Sequence, residues 1–307
     1  MTEQSHMPDE KKERSAAKAR KRPTSAWRKF RRELSKTKLR VPHIWLRHHG
    51  IHPEDVIFGS YPRSGTTWSR FTLYEIFTGQ PSGFEAVNAA IRGVGRHMFA
   101  LRPLPGNGRL INTHEQYRKE YKRAVYLARD GRDVALSEFA YTSALEFFHG
   151  DFDQFLQVFL CGKISGFAPW HNHINSWLDS PIAGTPNLLV VQFEDLRQNP
   201  VEGFTRIADF LEINVSAERI QRAVANNSLD RMKEKERAEP QRVSIKDRFV
   251  RTGSTQGWRA KLTPAQLELF EKHAGSALER LGYPLSSPVA ASLAGLDRVL
   301  QRSTTLS

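Results

Sequence analysis

Residues 56–68 read VIFGSYPRSGTTW, and the order of residue types in this stretch decides the fold. Asp55 to Phe58 carries the β-branched run of a buried strand, and Ser60 to Gly65 supplies turn residues. From Thr66 onward Phe71, Leu73 and Phe77 return to helix-compatible spacing. A strand that feeds a helix through such a turn gathers free backbone N–H groups and the positive end of the helix dipole at one point, where an anion is stabilised. Gly65 lets the backbone approach that anion closely. Arg63, Ser64, Thr66 and Thr67 add side-chain donors.

An ATP-type phosphate loop, G-x-x-x-x-G-K-[ST], is the obvious rival. Gly59 and Gly65 are separated by five residues instead of four, and Thr66 stands where the lysine belongs. A kinase or nucleotide hydrolase is therefore the disfavoured alternative. The plainest reading is an ordinary strand–turn–helix that happens to hold small residues; the proline and arginine before Ser64 and the Gly-Thr-Thr-Trp after it argue against it.

Two further stretches carry arginine at a turn. Arg129 to Ser137 (RDGRDVALS) follows the apolar run Ala124 to Ala128, again a strand entering a helix. The planar guanidinium of Arg129 suits two phosphate oxygens, and Ser137 lies about two helical turns on. A plain helix start, with Asp130 or Asp133 as cap and Arg132 solvated, is the alternative. Arg251 to Arg259 reads RTGSTQGWR, and between the first two stretches Arg109 to His114 reads RLINTH.

Tyr61 to Trp68 resembles the phosphosulfate loop of sulfotransferases, YPKSGTTW, at seven of eight positions, with Arg63 in place of lysine. The other stretches stand in the family's order, so the resemblance spans most of the chain. It implies a co-substrate, PAPS (3′-phosphoadenylyl sulfate), with adenosine 3′,5′-bisphosphate (PAP) as product. It implies that Arg63, Ser64, Gly65, Thr66 and Thr67, in the loop that Trp68 closes, hold the 5′-phosphosulfate end, and that Arg129 and Ser137 hold the 3′-phosphate. Arg251 and Gly253 match the family's RKGxxGDWK loop at the same phosphate; Thr252 replaces a lysine there, a loss that Arg242, Lys246 or Arg248 can offset. Adenine contacts fall on Trp68, on Phe193 where the family often has tyrosine, and on Asn227-Ser228-Leu229. Phe193 and Trp68 as plain core are the alternatives.

The same resemblance places the catalytic base on His114. Chemistry agrees, because an acceptor hydroxyl must lose its proton as it attacks sulfur and imidazole titrates near neutral pH. Asn112 stands where a lysine often precedes the Thr-His pair, and Glu115 is the fallback base. In-line transfer of this kind rests on placement and electrostatics and calls for no metal. His48-His49 and His171-Asn172-His173 lack partners at ligand spacing and read as surface or core histidines.

The chain has 307 residues, 39% of them hydrophobic, enough for one sizeable domain. Strand-like runs at Asp55 to Phe58, Arg109 to Asn112, Ala124 to Ala128 and Leu188 to Gln192 alternate with helical stretches, including Gly131 to Phe148, Phe152 to Leu160 and Gly203 to Leu211. The expected class is α/β: a three-layer αβα fold with a central parallel sheet and a P-loop-like nucleotide site at the strands' carboxyl ends. The expected divisions are a basic, disordered arm over 1–42, a sulfotransferase domain over 43–285 and an extension over 286–307.

Of the formal charge of +13, residues 1–40 carry +9 and the remainder only +4. The excess therefore belongs to the arm and gives no sign of a specific nucleic-acid partner. A solvated arm is the simpler reading. Trp27, Phe30 and Leu34 among arginines and lysines form the alternative, a basic amphipathic helix resting weakly on anionic membrane. No run approaches the ~20 apolar residues of a membrane span, no secretory signal is visible, and the single cysteine, Cys161, fits a reducing cytoplasm. Arg259-x-x-x-Thr263-Pro264-x-x-x-Glu268 is similar to a dimer-forming motif of cytosolic family members, although Thr263 and Pro264 also make a good helix start. Selectivity for the acceptor, a small-molecule hydroxyl or amine compound, is expected in loops such as Gln80 to Pro105 and Phe147 to Gly166; Phe84, Phe99, Phe147, Phe148 and Phe159 are candidates for the walls of an apolar pocket, with plain core as the more common reading of such aromatics.

Overall fold

A computed structural model describes residues 40–164, 166–238, 253 and 255–286. The chain divides into two units, Met1–Arg47 and His48–Ser307. Within the first, the described residues belong to helix α1 (Arg40–His48). The arm over 1–39, Arg251, Thr252 and the extension beyond 286 lie outside the described residues.

The second unit is built on four strands: β1 (Val56–Ser60), β2 (Leu110–Thr113), β3 (Ala124–Ala128) and β4 (Leu188–Gln192). They pair in the order β2-β1-β3-β4, every pair parallel. All five residues of β1 and of β3 are buried, as a parallel sheet covered on both faces requires.

Alternation along the strands sorts their side chains into two cores. Ile57, Ile111, Ala124 and Tyr126 point to one face, under α5 (Phe152–Leu160), α6 (Trp170–Leu178) and α11 (Pro264–Arg280). Val56, Phe58, Val125 and Leu127 point to the other, where α2 (Thr66–Thr78), α8 (Pro200–Phe210) and α9 (Ala217–Asn226) supply Leu73, Phe204, Ile207 and Ile220. Three layers result from period-2 patterning on strands that are apolar on both faces. Gly59 belongs to this packing: a Cβ there would come within 2.6 Å of the Trp177 ring.

The strand boundaries shift slightly from expectation. β1 begins at Val56 and runs on to Ser60, because Asp55 is taken up by a buried ion pair with Arg109 that closes the sheet's amino end. The helix that starts at Gly131, α4 (Gly131–Ala144), stops four residues short of Phe148, where the backbone turns through Glu146 at a φ of 57°. The third expected helix begins earlier, at Pro200, which sits in the first turn of α8 where its missing N–H has no consequence.

The sheet order fixes where a ligand can sit. From β1 the chain crosses to β2 on one side, then to β3 on the other, so the connections diverge between β1 and β3. At such a switch point a crevice opens beyond the strands' carboxyl ends. The segments that leave β1 and β3 there are the Tyr61–Gly65 turn and Arg129-Asp130.

Candidate active site

The turn after β1 is tightly determined. Arg63 has a φ of 67° and Gly65 a φ of 92°, both in the left-handed region. For Gly65 this is a requirement, since a Cβ would lie 2.4 Å from the Phe193 ring as well. The turn hands over to α2 at Thr66, whose Oγ1 lies 2.7 Å from Ser60 Oγ.

Two links tie this turn to the second motif. Arg129 donates from Nη1 to the carbonyl of Arg63 at 2.7 Å, and Arg63 donates from Nε to Ser137 Oγ at 3.2 Å. The Arg63 guanidinium also lies 4.5 Å from the centre of the Tyr141 ring, one helical turn beyond Ser137. The sequence places these residues more than sixty positions apart; the β1–β3 pairing brings them into one site. Arg129 lies over the face of Phe193 at 4.6 Å, and burial pulls its pKa down while Asp133 and Glu194 hold it up, so it stays a cation.

Asp130 caps α4 through Arg132 N, as the plain helix-start reading expects, but Arg132 is not solvated. It is fully buried between Asp130, Glu271 and the Trp258 ring. Asp133 in turn accepts from Trp258 N at 3.0 Å, so α4 holds the segment that follows Gly253. At Gln256 in that segment φ is 59°.

His114 follows directly on β2, beside β1. Its Nδ1 is 2.9 Å from the Ser60 carbonyl oxygen. A carbonyl only accepts, so Nδ1 carries the hydrogen and Nε2 keeps its lone pair. Burial, aided by the field of Arg70, holds the His114 pKa below the ordinary 6.5, against the pull of the Ser60 carbonyl. A second histidine supports it: His173 Nε2 donates to the His114 carbonyl at 3.2 Å, while its Nδ1 accepts from Tyr126 Oη at 2.8 Å. Glu115 turns elsewhere. Its carboxylate lies 3.1 Å from His48 Nε2, and it does not line the cavity that His114 lines.

That cavity has a volume of about 740 Å³. Arg63, Gly65, Thr66, Thr67 and Trp68 line it, with Arg129, Ser137, Phe193, Leu229 and Gly253. Ser64 does not: it is fully buried beneath the turn. Asn227 and Ser228 also stay outside it. Asn227 is fully buried; its carbonyl accepts from Trp68 Nε1 at 2.8 Å and its side chain joins Ser82 and Lys235. It therefore fixes the indole rather than facing a ligand itself.

Several lining residues were not legible in the sequence. Arg197, whose guanidinium sits 5.4 Å from the Trp68 ring, falls one turn into α7 (Phe193–Gln198). A basic residue one turn past the carboxyl end of an expected strand was the available signal. Lys261 and Glu138 gave no such signal. Of the expected acceptor walls, Phe147 lines the cavity; Phe84, Phe148 and Phe159 pack in the cores. Phe139, Ile164 and Phe167 complete its apolar side, the Phe167 ring lying 6.0 Å from that of His114.

The chain is similar to known proteins over most of its length. Residues 53–282 match the family model for the sulfotransferase domain. Sulfotransferase 1B1 of Mus musculus is 27% identical over 260 residues, covering 74% of this chain and 85% of that protein. Sulfotransferase 1 family member D1 of Mus musculus is 25% identical over 276 residues, covering 79% and 92%. Among solved structures, mouse sulfotransferase SULT7A1 complexed with PAP has a TM-score of 0.60 at 21% identity, covering 83% of this chain and 92% of that one. Retinol dehydratase in complex with androsterone and PAP has a TM-score of 0.63 at 23% identity, covering 81% and 87%. Since the family model takes in three quarters of the sequence and the three-layer fold is the one seen in these structures, the chain belongs to the sulfotransferase family.

Proposed function

We propose that this protein transfers a sulfuryl group from PAPS to the hydroxyl of a small-molecule acceptor, with His114 Nε2 as the base. The observation that carries the assignment is the Ser60 carbonyl. It fixes the His114 tautomer with Nε2 free, and it belongs to the residue from which the anion-binding turn departs. Base and anion site are thus held by one residue at the switch point. As the bond from acceptor oxygen to sulfur forms, the bond from sulfur to the bridging phosphate oxygen breaks. The hydroxyl proton passes to Nε2, and PAP is released.

Arg63 would neutralise charge growing on the bridging oxygen and the 5′-phosphate. Gly65, Thr66 and Thr67 offer N–H and hydroxyl donors at the start of α2, and Ser64, whose side chain is buried beneath the turn, is assigned there by motif alone. Arg129, Ser137 and Gly253 take the 3′-phosphate, with Arg251 and Thr252 assigned there by motif alone. Trp68, Phe193 and Leu229 flank the adenine, the indole being held by the Asn227 carbonyl, and Ser228 is assigned there by motif alone. The apolar side of the cavity suits a hydrophobic acceptor, in keeping with the androsterone and retinol bound by retinol dehydratase.

No helix among the described residues is long and apolar enough to cross a membrane. A cytoplasmic setting is proposed from the single cysteine, and a homodimer through 259–268 from the motif there; sedimentation showing only monomer at micromolar concentration would remove the latter. Thermal melting tests the central reading: saturating PAP stabilises the protein, by about 2.7 kcal/mol at a hundredfold excess over Kd, and ATP with magnesium does not. Stabilisation by ATP with magnesium alone would promote the kinase alternative.

A further inference from the structure

One cation on the cavity wall has no part in the reaction as proposed. Arg197, half-buried in the last turn of α7, holds its guanidinium 5.4 Å from the centre of the Trp68 ring. A Cβ built on Gly253 would stand 3.7 Å from both Cζ and Nη2 of Arg197, so the same fork rests against the residue that the proposed function places at the 3′-phosphate. Arg197, Trp68 and Gly253 all line the cavity. Among the described residues the guanidinium makes no hydrogen bond and no ion pair. An arginine in the last turn of a helix eases the helix dipole wherever its side chain points. The turn towards Trp68 and Gly253 needs another reason.

The charge of the nucleotide supplies one. A phosphate monoester carries nearly two negative charges at neutral pH and offers three acceptor oxygens. Arg63 is taken up by Ser137 and the 5′ end, which leaves Arg129 as the only arginine so far assigned to the 3′ end. Arg129 lies over Phe193, which precedes Arg197 by one turn on α7, so the two guanidiniums belong to one end of the cavity. Thr252, beside Gly253, brings no charge of its own. We infer that Arg197 is a specificity-determining residue that binds the 3′-phosphate together with Arg129, so that the protein selects adenosine nucleotides phosphorylated at the 3′ position over those with a free 3′-hydroxyl. The inference rests on the sulfotransferase reading and adds a residue to its nucleotide site. A guanidinium fork meets two phosphate oxygens at once, and its flat face keeps the indole beneath it. Gly253, with a φ of 57° and no side chain, leaves that fork open to the cavity.

PAP and adenosine 5′-monophosphate test this, because they differ only in the 3′-phosphate. The Kd of each is measured by calorimetry for the wild-type protein and for R197M, whose unbranched apolar stem keeps the indole covered. The expected result is a loss of PAP affinity of roughly tenfold to hundredfold, the range of a hydrogen bond between charged groups, with the monophosphate held within about threefold. Unaltered binding of the monophosphate also shows that the variant is folded. An equal loss for both nucleotides overturns the inference and moves Arg197 to the adenine; PAP affinity that R197M leaves unchanged overturns it too. Should R197M bind neither nucleotide, R197K decides, since it keeps the charge and loses the fork: the PAP preference should drop severalfold, and a wild-type preference there sinks the assignment. Failure of the wild-type protein to bind PAP would remove the sulfotransferase reading and this inference together, whereas PAP binding indifferent to Arg197 would remove the inference alone.

Discussion

At the scale of single residues the site rests on two atoms that have no freedom: the hydrogen of His114 Nδ1 and the absent Cβ of Gly65. Replacing His114 by alanine removes the proposed base while leaving the turn after β1 in place. Turnover should fall about a hundredfold to ten-thousandfold, the usual contribution of general base catalysis, while the Kd for PAP stays within about threefold on titration calorimetry. Glu115→Gln, whose carboxylate faces His48, should keep a rate near that of the wild type; a collapse there instead would move the base. Because burial lowers the His114 pKa, kcat/KM should rise with pH as the imidazole loses its proton, with a midpoint below 6.5, and then level off. Gly65→Ala meets both a φ of 92° and the Phe193 ring at 2.4 Å. Strain of about 1–3 kcal/mol at this turn should weaken PAP binding about tenfold or more.

Between elements, the face of α2 opposite the sheet is sealed by a polar knot. Glu75 on α2 accepts from Ser82 N and Oγ and from Asn226 Nδ2, while Lys235 on α10 (Leu229–Ala238) reaches Glu75, Ser82 and Asn227 at 3.1, 2.7 and 2.8 Å. All three ammonium hydrogens are used. The knot fixes Asn227, whose carbonyl holds the Trp68 indole, and so ties the side of the cavity proposed for adenine to three helices. Lys235→Met would leave the Glu75 carboxylate buried without its cation. Urea denaturation should show a loss of about 2–3 kcal/mol, tempered by the partial exposure of Lys235, together with a raised KM for PAPS and little change in kcat. The sequence foretold the strands that end at this site and the helices that leave it, since β-branched runs and turn chemistry are local signals. It did not foretell the knot: Glu75, Ser82 and Lys235 look like ordinary polar surface, and Asn227 reads as an adenine contact, until α9 and α10 fold over α2.

For the whole molecule, the core that carries the sheet also holds an acid-sensitive group. His173 is fully buried, neutral, and its pKa is pushed down by burial to about 3. Unfolded, it titrates near 6.5, so between those values the unfolded chain binds the extra proton. Stability from this group is complete above about pH 6.5 and is lost as pH falls towards 3, by about 1.4 kcal/mol per unit at most. The melting temperature should decline over that window, and His173→Asn should flatten the decline; an unchanged slope would place the acid sensitivity elsewhere.

The three-layer class and the strand–turn–helix after β1 were legible in the chain itself, as was the placing of Arg63, His114 and Arg129 at strand ends, because a strand, a turn and a helix start are properties of short contiguous stretches. The packing of distant segments settled that Glu115 lies against His48, that Arg132 is buried, and that Ser64 and Asn227 are buried and do not line the cavity. Those outcomes depend on which residues distant in the chain the parallel sheet brings side by side, and no local pattern records that.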